Sequence, residues 1–172
     1  MGKHVISFGL TEQSLDEAIK QLDKYKNDLQ RKTELFRQKV AERLADEARD
    51  GFDFAVVDDT NYNTRMANVN VSVDERGSIS VVVAQGEDAV WVEFGAGVYY
   101  NGPAGSSPNP YGKQLGMTIG SYGKGNGKKQ TWGYYENGQL QITRGTPAKM
   151  PMASAVISVL NDIQSIAKEV FG

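Results

Sequence analysis

Residues 11–50 carry one unbroken helical period, and this feature limits what the rest of the chain can build around. Apolar side chains recur at Leu15, Ile19, Leu22, Tyr25, Leu29, Phe36, Val40 and Leu44. Steps of three, four and seven keep these on one face of a helix. No proline interrupts the run, and ten acidic and nine basic residues fill its other faces. Ser14 and Glu17 make an S-x-x-E capping box that predicts the start. Asp50-Gly51 predicts the stop, because glycine takes the left-handed conformation that ends helices. Asp16–Lys20 and Asp28–Lys32 have the favourable acid-first i,i+4 order. At ~1.5 Å per residue a helix from Ser14 to Asp50 is about 55 Å long, wider than a domain of this size. It is expected either to break, near the polar Gln30–Glu34 stretch, or to project as an arm. A charged helix face is ordinarily just solvated. The stripe that includes Leu22, Leu29 and Phe36 is what an arm would offer to another surface.

The period then changes from helical to alternating. Val69, Val71 and Val73 alternate with Asn68, Asn70 and Ser72, Asp74–Gly77 reads as a turn, and Ile79, Val81 and Val83 alternate again. This predicts an antiparallel hairpin. Ala89–Phe94 reads as a third strand, with Val90, Val92 and Phe94 on one face and Trp91 and Glu93 on the other. Residues 52–66 are a connection with a short edge strand. Residues 95–130 hold ten glycines, three prolines and almost no aliphatic side chains, so this long loop cannot bury much apolar surface. Residues 131–143 flank Asn137-Gly138, a strong two-residue hairpin signal. A second helix follows over 152–171, with Met152, Val156, Val159, Ile163, Ala167 and Val170 on one stripe, widened by Leu160 and Ile166. Its three charges suggest that it is substantially covered. The expected fold is therefore α+β: a long N-terminal helix, an antiparallel sheet of four to five strands with a glycine-rich insertion, and a C-terminal helix packed on the sheet. With 172 residues the chain is read as a single domain.

Composition narrows the chemistry. There is no cysteine, so no disulfide framework, thiol nucleophile or cysteine metal site, and the one histidine, His4, lies at the N-terminus. A histidine triad or multi-histidine metal site is close to excluded. Formal net charge is -2, which gives no bulk electrostatic case for nucleic acid or membrane. No apolar run approaches the ~20 residues of a membrane span, and MGKHVISFGL lacks the apolar stretch of a signal peptide, so a product made in the cytoplasm is expected. Charge is nevertheless segregated. Residues 52–94 carry eight acids and two bases, while 95–149 carry six bases and one acid. The two segments either neutralise each other within one molecule or meet between copies, head to tail. Loop-to-DNA contact through Lys113, Lys124, Lys128 and Lys129 is a third option, but four lysines with little aromatic interleaving make a weak footprint.

Individual motifs add little chemistry. Gly123–Lys129 lacks the glycine spacing and the hydroxyl residue of a phosphate loop. Asp58-Asp59 would point to opposite sides of a strand, which suits a solvated turn better than a metal. Glu93, beside Gly95 and Gly97, is the best-placed carboxylate, yet no second carboxylate or histidine can be nominated to share acid–base work. It reads as a paired or interfacial charge. Trp91 and Trp132 read as core or interface aromatics. No catalytic, cofactor or metal residues are nominated.

Two stretches carry a resemblance. Trp91-Val92-Glu93-Phe94-Gly95-Ala96-Gly97 resembles the V-E-F-G-x-G signature of the gp-ten-like family of tailed-phage neck proteins, the head–tail joining, tail-completion or minor tail components. Thr143–Ala155, with Gly145-Thr146-Pro147-Ala148-Lys149-Met150-Pro151-Met152, resembles that family's approach to its last helix. Pro151 directly precedes Met152 where the family has Phe, and Ala153 stands where it has Arg. The resemblance covers roughly residues 30–170. It implies a structural virion protein and no enzyme: a ring homo-oligomer of six-fold or related symmetry at the head–tail interface. Such a ring touches the connector, tail terminator or tail tube and lets DNA pass. With the charge segregation and the long helical stripe, it leaves as interface candidates Trp91, Glu93, Phe94, Gly95, Gly97, Trp132, the loop lysines and Leu22, Leu29 and Phe36 of the arm. The alternative is a small cytoplasmic module that binds a ligand or protein through the glycine-rich loop.

Overall fold

Helix α1 runs unbroken from Glu12 to Asp53, 42 residues, in a computed structural model that describes residues 6, 9–58, 64–95, 107–115, 132–143 and 148–172. Both expected ends move. Thr11 is the N-cap, its side-chain oxygen accepting from the Ser14 N–H at 3.3 Å, while the Ser14 hydroxyl accepts from the Gly9 N–H. Gly51 lies inside the helix, and a Cβ there would sit 2.7 Å from the Cβ of Pro151. The glycine serves a close helix–helix approach and not a stop. The break expected near Gln30–Glu34 does not occur, because the polar groups there are satisfied within the helix. Thr33 donates its hydroxyl to the Leu29 carbonyl at 2.8 Å, and Arg31 and Lys32 both pair with Asp28.

Among the described residues six strands follow in three antiparallel pairs, not one sheet. Strands β1 (Val56–Asp58) and β2 (Thr64–Met66) form the first pair. Strands β3 (Asn70–Arg76) and β4 (Ile79–Gln85) form the second and run on through the expected Asp74–Gly77 turn, leaving a two-residue turn at Gly77-Ser78. Val71 faces Ala84 and Val73 faces Val82 across this ladder. These four, not Ile79, Val81 and Val83, make the face that joins the core. Strand β4 is apolar on both faces, so alternation alone could not choose between them. Strands β5 (Trp132–Glu136) and β6 (Gln139–Thr143) turn at Asn137-Gly138 as expected, with both residues at positive φ, 50° and 78°.

The expected third strand is a short helix, α2 (Ala89–Phe94). Its N–H groups close four-residue turns, Val92 to Asp88 O and Gly95 to Trp91 O, both at 2.8 Å. Six residues are too few to separate the two periods. Ala89, Val92 and Glu93 are buried together at helical spacing. Gly95 ends α2 at φ 80°, a backbone angle that favours glycine. Residues Tyr111–Gln114 form α3, a single turn inside the stretch read as featureless loop. Helix α4 (Pro151–Phe171) starts with proline at its first turn.

Helix α4 lies antiparallel along the C-terminal part of α1. Pro151 meets Gly51 at one end, and Phe36 meets Phe171 at the other with ring centroids 5.9 Å apart. Lys39–Glu169 and Arg43–Asp162 bridge the pair between these points. Ala45, Ala48 and Phe52 of α1 bury against Val71, Val92 and Ala155, with Met152 and the inner face of β3–β4 packed around them. The first turns of α4 thus close the core that the strands open. Val156 and Leu160, which the sequence places on the covered stripe, are exposed, as is Ile157 beside them. No helix among the described residues is long and apolar enough to cross a membrane.

Candidate functional site

The two stretches that carry the resemblance meet in one joint. Glu93, near the end of α2, is only 3 % exposed. Its carboxylate accepts from the backbone N–H groups of Met152 (2.8 Å) and Ala153 (3.2 Å) and from the Ser107 hydroxyl. The first four N–H groups of a helix lack partners within it, and the positive end of the dipole favours an anion there. Met150, the N-cap residue of α4, sits at φ 56° and offers no side-chain cap. Glu93 supplies that cap from 59 residues away. The Val92 carbonyl adds a second tie by accepting from the Lys149 N–H at 2.8 Å. Val92 and Phe94 are buried beside it, and Trp91 is half-buried with a partner of its own. With three donors on its carboxylate, Glu93 is built to hold the start of α4. Ser107 is fixed in turn: its hydroxyl accepts from the Asn109 N–H, and the Asn109 side chain accepts from the Tyr111 N–H. Part of the glycine-rich stretch is therefore tied into the joint.

A second buried carboxylate lies one turn earlier. Asp88, 5 % exposed, takes a two-pronged contact from Arg65 (2.5 and 3.0 Å) and accepts from the Asn68 N–H at 2.7 Å. Burial pushes its pKa up, but the Arg65 guanidinium and the Asn68 amide outweigh this and hold it below the ordinary carboxylate value. The neighbouring Gly86 lets the chain pass close by, since a Cβ there would lie 2.1 Å from the Asn68 carbonyl oxygen. The only signal in the sequence was an aspartate at the start of a short apolar run, where a helix cap would also be expected.

Four of the eight acids of residues 52–94 have partners inside the molecule. Asp74 pairs with Arg76, Glu75 with Arg37, Asp88 with Arg65, and Glu93 is capped. Arg37 also donates to the Gly77 carbonyl at 2.7 Å, which pins the hairpin tip to α1. Among the described residues no group of three His, Asp or Glu side chains is placed to hold a metal ion.

The remaining candidates separate by place. Phe36 is half-buried against Phe171, whereas Leu22 and Leu29 stand exposed on the part of α1 beyond the end of α4. Lys113 and Trp132 lie in α3 and β5, and their side chains are outside the described residues, as are Gly97, Lys124, Lys128, Lys129 and Asp59. The structure brings Trp91, Glu93, Phe94 and Gly95 together at the joint and leaves Leu22 and Leu29 far along α1. Compared with family models, curated proteins and solved structures, the chain matches none.

Proposed function

We propose that this chain is a structural subunit of a tailed-phage or prophage neck, acting by assembly into a ring at the head–tail interface and completing or joining the tail. The observation that carries this is the joint. Trp91–Gly95 and Lys149–Ala153 are distant in sequence, and the Glu93 carboxylate and the Val92 carbonyl fasten them into one unit. Paired stretches that resemble one family support the reading better when they act on each other than when they lie apart. A body that holds a helix start through a buried carboxylate, with an arm of α1 that runs on beyond α4, suits a part that works by position. The role needs no turnover, cofactor or metal. Its partners are further copies of itself, in six-fold or related symmetry, and the connector, tail terminator or tail tube on either side. DNA passes through the ring and the finished site is the virion.

Labelling tests this. Antibody raised to the purified chain, applied to particles induced from the source strain and viewed by electron microscopy, is expected to mark the junction of head and tail. Particles with complete, joined heads and tails that carry none of the chain would sink the proposal.

A further inference from the structure

Leu15, Ile19, Leu22 and Leu29 stand 43–56 % exposed on one face of α1, over about four helical turns, with Ala18 buried between them. Single exposed apolar side chains are ordinary, but a continuous row is not. The row continues the stripe that, from Phe36 on, is covered by α4, and the cover given by α4 ends where Phe171 meets Phe36. We propose that residues 12–35 of α1 dock on the same segment of a second copy, antiparallel, about a two-fold axis near Leu22.

Three features select this occupant. The first is length. Among the described residues the exposed strip on α4, Val156, Ile157 and Leu160, spans little more than one turn, and the exposed pairs Val56–Met66 and Tyr135–Leu140 lie on short strands, so none of them can cover a row four turns long. A second arm matches it end to end. The second is spacing. Leu15, Leu22 and Leu29 are seven residues apart, the repeat that keeps a seam facing a partner helix. The third is charge. The first half of the arm holds Glu12, Asp16, Glu17 and Asp23 against Lys20, and the second holds Lys24, Lys26, Arg31 and Lys32 against Asp28 and Glu34. Asp28 and Glu34 are already paired within α1, to Arg31 and Lys32 and to Arg37. Asp16, Glu17 and Asp23 form no ion pair among the described residues. An antiparallel pair sets the acidic half of each arm on the basic half of the other, and a parallel pair sets like on like. The inference does not rest on the neck assignment, since it asks only how two free copies meet.

The chain has no cysteine, so introduced thiols stand alone. The expected result is that Leu15→Cys and Leu29→Cys proteins, each oxidised by itself, stay uncrosslinked, and that a mixture of the two forms disulfide heterodimers. Sedimentation of the unmodified chain at micromolar concentration should show a dimer that weakens with added salt. Leu22→Asp should loosen it by at least ~100-fold, because each arm then buries a charge, with helical content unchanged. A monomer throughout the micromolar range overturns the proposal. So does self-crosslinking of either single variant, which means parallel arms, or a dimer indifferent to Leu22→Asp, which means another surface.

Discussion

The two halves of α1 have the same periodicity, and both are dense in charge, yet they live in different surroundings. From Phe36 to Asp53 the stripe meets α4 and the β3–β4 hairpin, and Ala45, Ala48 and Phe52 are at most 2 % exposed. From Glu12 to Leu35 the same stripe continues with larger side chains, and Ala18 alone is buried. The covered half uses three alanines where helices approach closely, and the outer half sets exposed leucines and isoleucine around one buried alanine, Ala18. Periodicity states which face of a helix is apolar. Side-chain size along that face states how near the neighbour comes, and small residues at Ala41, Ala45 and Ala48 mark the half with its partner already present.

The sharpest way to break this comparison is at Phe52, 1 % exposed in the centre of the core. Phe52→Ala should cost about 3–5 kcal/mol of folding stability, measured by denaturant unfolding, since lost burial and the cavity left behind add. A loss below about 1 kcal/mol would mean that this half is no better covered than the arm and that the core lies elsewhere.

The joint comes next in size. Glu93→Ala leaves the Met152 and Ala153 N–H groups without an acceptor in a buried site and should cost about 2–3 kcal/mol. Glu93→Gln keeps the shape and loses the charge, and should fall between that variant and the unmodified chain. Equal stability in all three would remove the cap as the reason for a carboxylate here.

How much of this was legible follows from what each residue answers to. The helices were legible because each repeats its period over many turns, and the Asn137-Gly138 turn because its positive φ values are written in residue type. The α2 segment was not, since six residues satisfy both periods and the choice is made by Arg65 and Asn68 holding Asp88 and by Glu93 reaching α4. Glu93 reads in sequence as a paired or interfacial charge, and the partners the structure gives it are two backbone amides and the Ser107 hydroxyl, which no pattern of opposite charges records. Gly51 was misread for a related reason: its neighbour Pro151 lies a hundred residues on. The Asp88 clamp was missed because its arginine lies 23 residues earlier, in a strand three residues long.

Acid acts more gently, at the Asp88 clamp beside the covered half. The Asp88 carboxylate has its folded pKa held below the ordinary value near 3.8, so its clamp on Arg65 contributes fully above that value and is lost as pH falls through the lowered one. Thermal stability of the unmodified chain should therefore fall on acidification below about pH 4, and Asp88→Asn should flatten part of that fall while lowering stability at neutral pH. An identical acid profile in both proteins would mean that the clamp does not hold the body together.

The smallest effect is expected on the bare half, and its smallness is the point. Ile19 is 56 % exposed on the free face of α1. Ile19→Ala removes little buried surface from a single copy, and alanine is the better helix former, so the two changes oppose each other. In dilute solution, where copies are separate, the stability change should stay within about 0.5 kcal/mol, against several at Phe52. At concentrations where arms pair, the same substitution should lower the unfolding midpoint measurably, because a dimer that binds only the folded chain stabilises it by mass action. Denaturant curves at two protein concentrations a hundredfold apart read both regimes at once. A loss at Ile19 as large at low concentration as at high would place its cover within one molecule, and the two halves of α1 would then differ only in degree.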